Sequence, residues 1–277
     1  KPRHMDFPFG SLKKLKFFDD NIYKSCFMAG LSASFPAGEG EFLDSVRNYR
    51  DQISNTDLKT QVKGFIGQEA HHSRQHEFVN DELMRLGLRT DKVERTLKKD
   101  IAKLVKEQSH QFRLAYTVCS EHITAIMAEH ALNEPAFLKG MEEPMKDLLL
   151  WHAVEEIEHK SVAFDVYMEV SGDVKYLNKI MKICIIMLHI HLTQRMFKLA
   201  FNTKSWASIK DFGGFIKWMF GKGGMWRSLR GPFKSFYKAG FHPWDNGGLE
   251  LVEKWLAEYA HPEQNKASAE YQVANPA

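Results

Sequence analysis

Two segments of the chain carry the same arrangement of metal-binding side chains. Glu69 and His72 stand three apart in FIGQEAHHSRQH, and His152, Glu156 and His159 stand at spacings of four and three in WHAVEEIEHK. Spacings of three, four and seven return to one face of an α-helix, so each segment can aim a carboxylate and an imidazole inward together. Carboxylates bridge cations and offset their charge, while neutral imidazoles bind iron, manganese or zinc without adding negative charge. One Glu-x-x-His arises often by chance; two copies on separate helices, each with a further His in phase, point to a site for two metal ions.

A dinuclear carboxylate site built between four helices needs a Glu from each of two further helices. Glu121 lies among apolar neighbours in AYTVCSEHITAIMAEH, where an unpaired carboxylate is costly to bury. It is the favoured third-helix ligand, with Glu129, eight residues on, as its rival. On the first helix Glu39 and Glu41 stand two apart and cannot share a face, and Glu39 is favoured. His76 follows His72 by four, so it shares the ligand face as a metal ligand, a hydrogen-bonding partner of one, or a catalytic acid or base. His71 and His122 point off those faces and read as core or surface histidines. Glu155 and Glu158 flank Glu156 out of phase and read as salt-bridging groups.

The elements that must position these groups are helices. DLKTQVKGFIGQEAHHSRQHEFVNDELMRL reads as one helix from Asp57 to about Leu86, with Thr56 or Asn55 as N-cap and Gly87 closing it. A helix from about Asp91 to Leu132 follows, then a turn at Asn133–Pro135, then a helix from about Pro144 to Val170. Ahead of these, a helix starts after Pro36 and ends before Asn55. Strand signals are scarce, so the expectation is an all-α fold: a four-helix bundle with additional helices. The expected divisions are an N-terminal segment (1–34) packing on the bundle, the metal-binding bundle (35–202), an appendage (203–260) and a disordered tail (261–277).

Composition fits this plan. With 277 residues and 44% hydrophobic content the chain can bury a substantial core. Its 38 Lys and Arg nearly balance 35 Asp and Glu, so net charge gives no reason to expect nucleic acid. Cys26, Cys119 and Cys184 form no C-x-x-C pair and lie in apolar contexts, which suggests reduced, buried thiols in a cytoplasmic protein. The start KPRHMDFPFG has no apolar h-region of a secretory signal, and Lys1 to His4 read as a remnant foreign to the fold.

The C-terminal third is different. Residues 178–201 form an apolar helix interrupted by Lys179, Lys182, His189, His191 and Arg195, which favours burial in the bundle over a membrane span. From Lys198 to Lys238, nine Lys or Arg and a single acid, Asp211, alternate with aromatics such as Trp206, Trp218 and Trp226. That mixture suits the headgroups of an anionic bilayer, so peripheral contact with the inner face of the membrane is expected through residues 198–238. Co-sedimentation with anionic vesicles at moderate salt tests it, and absence of binding removes it. Packing over the bundle, or contact between two copies in a homodimer, is the competing use.

FPAGEGEF, GFIGQEAHHSRQHEFVN, SEHITA, WHAVEEIEHKSVAFDVY and FHPWD together resemble the bacterial family of predicted metal-dependent hydrolases, which has a ferritin-like fold. The resemblance runs from about Phe35 to Trp255. It implies Glu39, Glu69, His72, Glu121, His152, Glu156 and His159 as metal ligands, with His76 beside them. The set is also similar to that of di-iron enzymes of the p-aminobenzoate N-oxygenase type, in which an extra His likewise precedes the last Glu-x-x-His by four. The similarity implies two metal ions, iron first and manganese or zinc next, and O2-dependent oxidation of an apolar or lipid-like substrate. The alternatives are hydrolysis of an ester or phosphoester by a metal-bridging water, and a non-enzymatic metal-binding or membrane-associated role.

Overall fold

The computed structural model describes residues 3–259. Its twelve α-helices are α1 (Ile22–Ser32), α2 (Phe35–Arg47), α3 (Thr56–Arg85), α4 (Thr90–Glu107), α5 (His110–Asn133), α6 (Glu143–His159), α7 (Val162–Val170), α8 (Val174–Ala200), α9 (Ile209–Phe220), α10 (Met225–Ser228), α11 (Arg230–Ser235) and α12 (Leu249–Tyr259). Among the described residues there is no strand, only an isolated bridge between Phe18 and Met141. The chain is all-α, as its patterning implies.

Helices α2, α3, α5 and α6 pack as a closed ring: α2 against α3 and α5, α6 against α3 and α5. Along α3 the apolar residues change allegiance. Val62 and Phe65 belong to one hydrophobic cluster and Val79 and Leu83 to another, and the polar Glu69, His72 and His76 fall between. The ring therefore has apolar ends and a polar middle. α3 begins where the Asn55 side chain accepts from the backbone N–H groups of Asp57 and Leu58, satisfying two of the unpaired donors at a helix start.

Two long helices expected from periodicity are each broken. The run expected from Asp91 to Leu132 splits at Gln108 and Ser109, both extended, and the Ser109 hydroxyl caps α5 by accepting from Phe112 N at 3.1 Å. The helix expected from Pro144 to Val170 is interrupted at Lys160 and Ser161, where Lys160 is buried and its ammonium reaches Glu129 and the Gly247 carbonyl. The helix expected to run up to Asn55 ends at Arg47 instead.

Only one face of α8 is buried, by Leu177, Met181, Cys184, Leu192 and Met196, while Ile183, Ile186 and Ile190 are exposed. Burial in the bundle thus holds for one face of that helix, and 28% of its apolar stretch is buried. By length and composition α8 is the one described helix apolar enough to cross a membrane. The N-terminal segment is integral: Phe7, Phe9, Leu12, Phe17 and Phe18 are buried, and Arg3 bonds Glu155 and Glu158 on α6, which corrects the reading of Arg3 and His4 as foreign to the fold, while Lys1 and Pro2 lie outside the described residues. The expected disordered tail lies outside the described residues.

Candidate metal centre

The ring of helices brings seven side chains to one point: Glu39 from α2, Glu69 and His72 from α3, Glu121 from α5, and His152, Glu156 and His159 from α6. None is more than 4% exposed. Glu156 Oε1 sits among the three imidazoles, 2.8 Å from His152 Nε2, 3.7 Å from His159 Nε2 and 3.9 Å from His72 Nδ1. Glu69 Oε1 lies 3.4 Å from His159 Nε2 and 3.6 Å from His72 Nδ1. Glu39 Oε1 is 3.6 Å from His152 Nε2, and Glu121 Oε2 is 4.0 Å from His159 Nδ1. Potential donors of Glu69, His72, Glu156 and His159 fall within 4.8 Å of one another, as do those of Glu39, His72 and His152. The two groups share His72.

The rivals are placed elsewhere. Glu41 is closed by a two-pronged ion pair with Arg113, whose Nη2 donates to Oε2 at 2.8 Å. Glu129 accepts from Lys160 Nζ at 2.8 Å. His71 packs edge-on against His4, and His122 against Phe236 and Phe241.

His76 is not in the cluster but behind it. Asn80 Nδ2 donates to the Ser32 carbonyl, which fixes the amide and leaves its Oδ1 to accept from Ser32 Oγ at 2.8 Å. Ser32 Oγ, having given its proton to Asn80, accepts from His76 Nδ1 at 2.9 Å; His76 Nε2 then accepts from His152 Nδ1 at 2.8 Å. With Nδ1 engaged by His76, His152 Nε2 is the nitrogen left facing Glu156 and Glu39, and it hydrogen-bonds Glu156 Oε1 at 2.8 Å. Burial, with His152 and His72 adding to it, holds His76 well below the usual histidine range, so its own ring stays neutral. Both His76 nitrogens are engaged, so the geometry gives it the work of orienting His152 rather than of an acid or base.

His72 is oriented in the same way from the other side. Its Nε2 donates to Glu155 Oε2 at 3.2 Å, Glu155 is held in turn by Arg3, and Nδ1 is left facing the cluster. Sequence reasoning gave Glu155 a salt bridge and missed this second partner, because the contact crosses between α3 and α6. Ser73 donates to Glu39 Oε2 at 2.8 Å and Thr124 donates to Glu156 Oε2; neither was singled out. Asn80 had a signal, four residues after His76; Ser32 on α1 had none. Outer partners of metal ligands are worth roughly 10–100-fold in affinity. Glu155→Gln keeps the shape and removes the charge, so Zn(II) affinity measured against a chelator should fall about tenfold or more. An unchanged affinity would remove Glu155 from this role.

What remains unpaired tests the fit to metal. Glu39 Oε1, both oxygens of Glu69 and Glu121, His72 Nδ1 and both nitrogens of His159 are buried without a hydrogen-bond partner. Eight such atoms on five neighbouring residues form a donor set, since native interiors leave few polar groups unsatisfied. Electrostatics agree. Burial, with repulsion from neighbouring carboxylates, pushes Glu39 and Glu121 well above the carboxylate range, and burial lifts Glu69 to about 8. Burial would raise Glu156 too, but His152 and His159 hold it well below the usual value. Two divalent cations would match the four carboxylates in charge, and the residues fit them.

The centre borders two cavities. A small one of about 70 Å3 touches His152, Glu156, Phe35 and Thr124 and is otherwise apolar. A larger one of about 510 Å3 reaches Glu39, Phe35 and Thr124 and extends under α4 and along α8. Residues 1–247 match the model of a family described as predicted metal-dependent hydrolase. No curated protein and no solved structure matches the chain.

Proposed function

We propose, for a chain that belongs to the family of predicted metal-dependent hydrolases, the work of a two-metal enzyme on an apolar, chain-like substrate. The observation that carries this reading is the set of eight unpartnered buried donor atoms beside apolar cavities. The ring of α2, α3, α5 and α6, each supplying at least one of the seven residues, supports reading the bundle as ferritin-like.

Hydrolysis of an ester or phosphoester is the reaction the family description favours. Two cations held here would supply Lewis acidity and a water acidified toward neutral pH. The chain's own residues prepare the place. The relay from Asn80 to His152 and the pair of His72 with Glu155 turn one nitrogen of each imidazole toward the place a cation would take. Glu121, with no hydrogen bond to either oxygen, can take up or release a proton without breaking one. Phe35 packs on the rings of His76 and His152, with centroids 4.5 and 4.4 Å away, and excludes water from that side.

O2-dependent oxidation with iron at both positions is the second reading, and the small cavity favours it. Beyond Thr124 and the ligand residues its wall offers no polar side chain to hold a water or an oxyanion. One experiment separates the two. Protein loaded with Zn(II) or Mn(II) is given p-nitrophenyl acyl esters of increasing chain length, and protein loaded anaerobically with Fe(II) is mixed with O2. Ester cleavage that rises with chain length and is lost in Glu69→Ala supports hydrolysis. Absence of cleavage with rapid O2 uptake, lost in the same variant, supports oxidation. Absence of both sinks both chemistries.

A further inference from the structure

The larger cavity contains a charged group that the metal cluster does not use. Arg195 on α8 lines the same cavity as Phe35 and Glu39. Its Nη1 donates to Ser34 Oγ at 2.7 Å, and among the described residues that is its only hydrogen bond, with no ion-pair partner. A guanidinium offers five N–H donors in a planar fork, so most of its capacity is open. Arg113 on the same side of the bundle shows the contrast, since its fork is filled by Glu41. Burial depresses the charged form of Arg195, and the acid acting on it is Asp100 on the exposed face of α4, with Lys103 and Glu107 near it on the cavity wall.

Packing fixes the root of this side chain, and Ser34 holds its end. α1 and α8 approach closely at Gly30, where a Cβ would lie 3.2 Å from Arg195 Cβ, so the stem cannot shift toward α1. Other polar groups converge on the same space. Ser34 holds one guanidinium nitrogen, and Tyr116 and Ser120 of α5 line the cavity. The Tyr116 phenol is pushed up to about 12, mainly by burial, and so keeps its proton as a hydrogen-bond donor. Charged groups, among them Asp100, Lys103 and Glu107 of α4, stand at other parts of the wall, and Leu31, Ile123, Met127 and Leu188 give it an apolar stretch. A cavity of about 510 Å3 with apolar walls and a few converging polar groups has the make-up of a small-molecule site.

We infer that Arg195 is the anchor for the carboxylate of an amphiphilic substrate, whose hydrocarbon chain lies in the cavity that borders the metal centre. The inference rests on the apolar-substrate reading above and adds the head group. A carboxylate presents two coplanar oxygens to the fork of one guanidinium. A phosphate head would bring more negative charge to a wall that already carries Asp100 and Glu107.

The test is equilibrium binding to the full chain as isolated, by calorimetry, with decanoate, decyl phosphate and 1-decanol. Three proteins are compared: the natural sequence, Arg195→Met and Arg195→Lys. Decanoate should bind the natural protein most tightly and lose roughly 10–100-fold in Arg195→Met, the size of losing hydrogen bonds to a charged group. Arg195→Lys should recover part of that, and 1-decanol should bind all three alike, which also shows that the variants are folded. Decanoate binding that is indifferent to Arg195→Met, with 1-decanol still bound, overturns the anchor and leaves the apolar site standing. Decyl phosphate winning with the same dependence on Arg195 overturns the carboxylate. Absence of all binding overturns the anchor together with the apolar-substrate reading.

Discussion

Glu121→Met produces a metal-free protein more stable than the natural one, by about 1–3 kcal/mol, and one that no longer gains stability from added metal. The reasoning starts from burial: Glu121 is 2% exposed and neither oxygen has a hydrogen-bond partner. Its carboxyl group is held well above the usual range by burial and then by Glu156 and Glu69, so it is neutral without metal, yet its polar atoms still lack partners. A buried polar group left unsatisfied costs about 1–3 kcal/mol, and an unbranched thioether of similar length removes that penalty without a large cavity. Metal that binds only the folded state stabilises it by mass action, and this gain disappears with the ligand. Urea denaturation with chelator and with excess Zn(II) measures both parts. A large loss of stability in chelator would mean that Glu121 belongs to a structural network, against the present account.

Glu156→Ala has the largest expected effect on metal. Glu156 Oε1 stands among His152, His159 and His72, so its removal opens both halves of the cluster at once. Bound metal should fall from two ions per chain to one or none, and the affinity for the remaining ion should drop by more than the roughly 10–100-fold expected for an outer partner such as Glu155. Elemental analysis after dialysis and competition with a chelator follow both quantities. Retention of two ions with unchanged affinity would show that the metals sit elsewhere.

The sequence exposes the part of the site that is local. Glu69 with His72, and His152 with Glu156 and His159, are spaced by the turn of the helix that holds them, so periodicity alone places each set on one face. The choice between Glu39 and Glu41 is not local. It depends on Arg113, 72 residues away, which takes Glu41 into an ion pair. Glu155 looked out of phase with the cluster because phase describes its own helix, whereas its partner His72 comes from another. Helix breaks were hidden for a related reason. Apolar periodicity resumes after Ser109, and only the cap formed with Phe112 marks the boundary between α4 and α5. Arg195 shows the limit most clearly. In sequence it interrupts an apolar run; in the fold it is a cation facing a cavity whose other walls come from α1, α2, α4 and α5.

The central claim is that this cluster holds two metal ions, and anomalous scattering from crystals grown with Mn(II) tests it directly. The account predicts two peaks per chain flanking Glu156, with His72 bound through Nδ1 and His152 through Nε2. A single peak, or none, would contradict it.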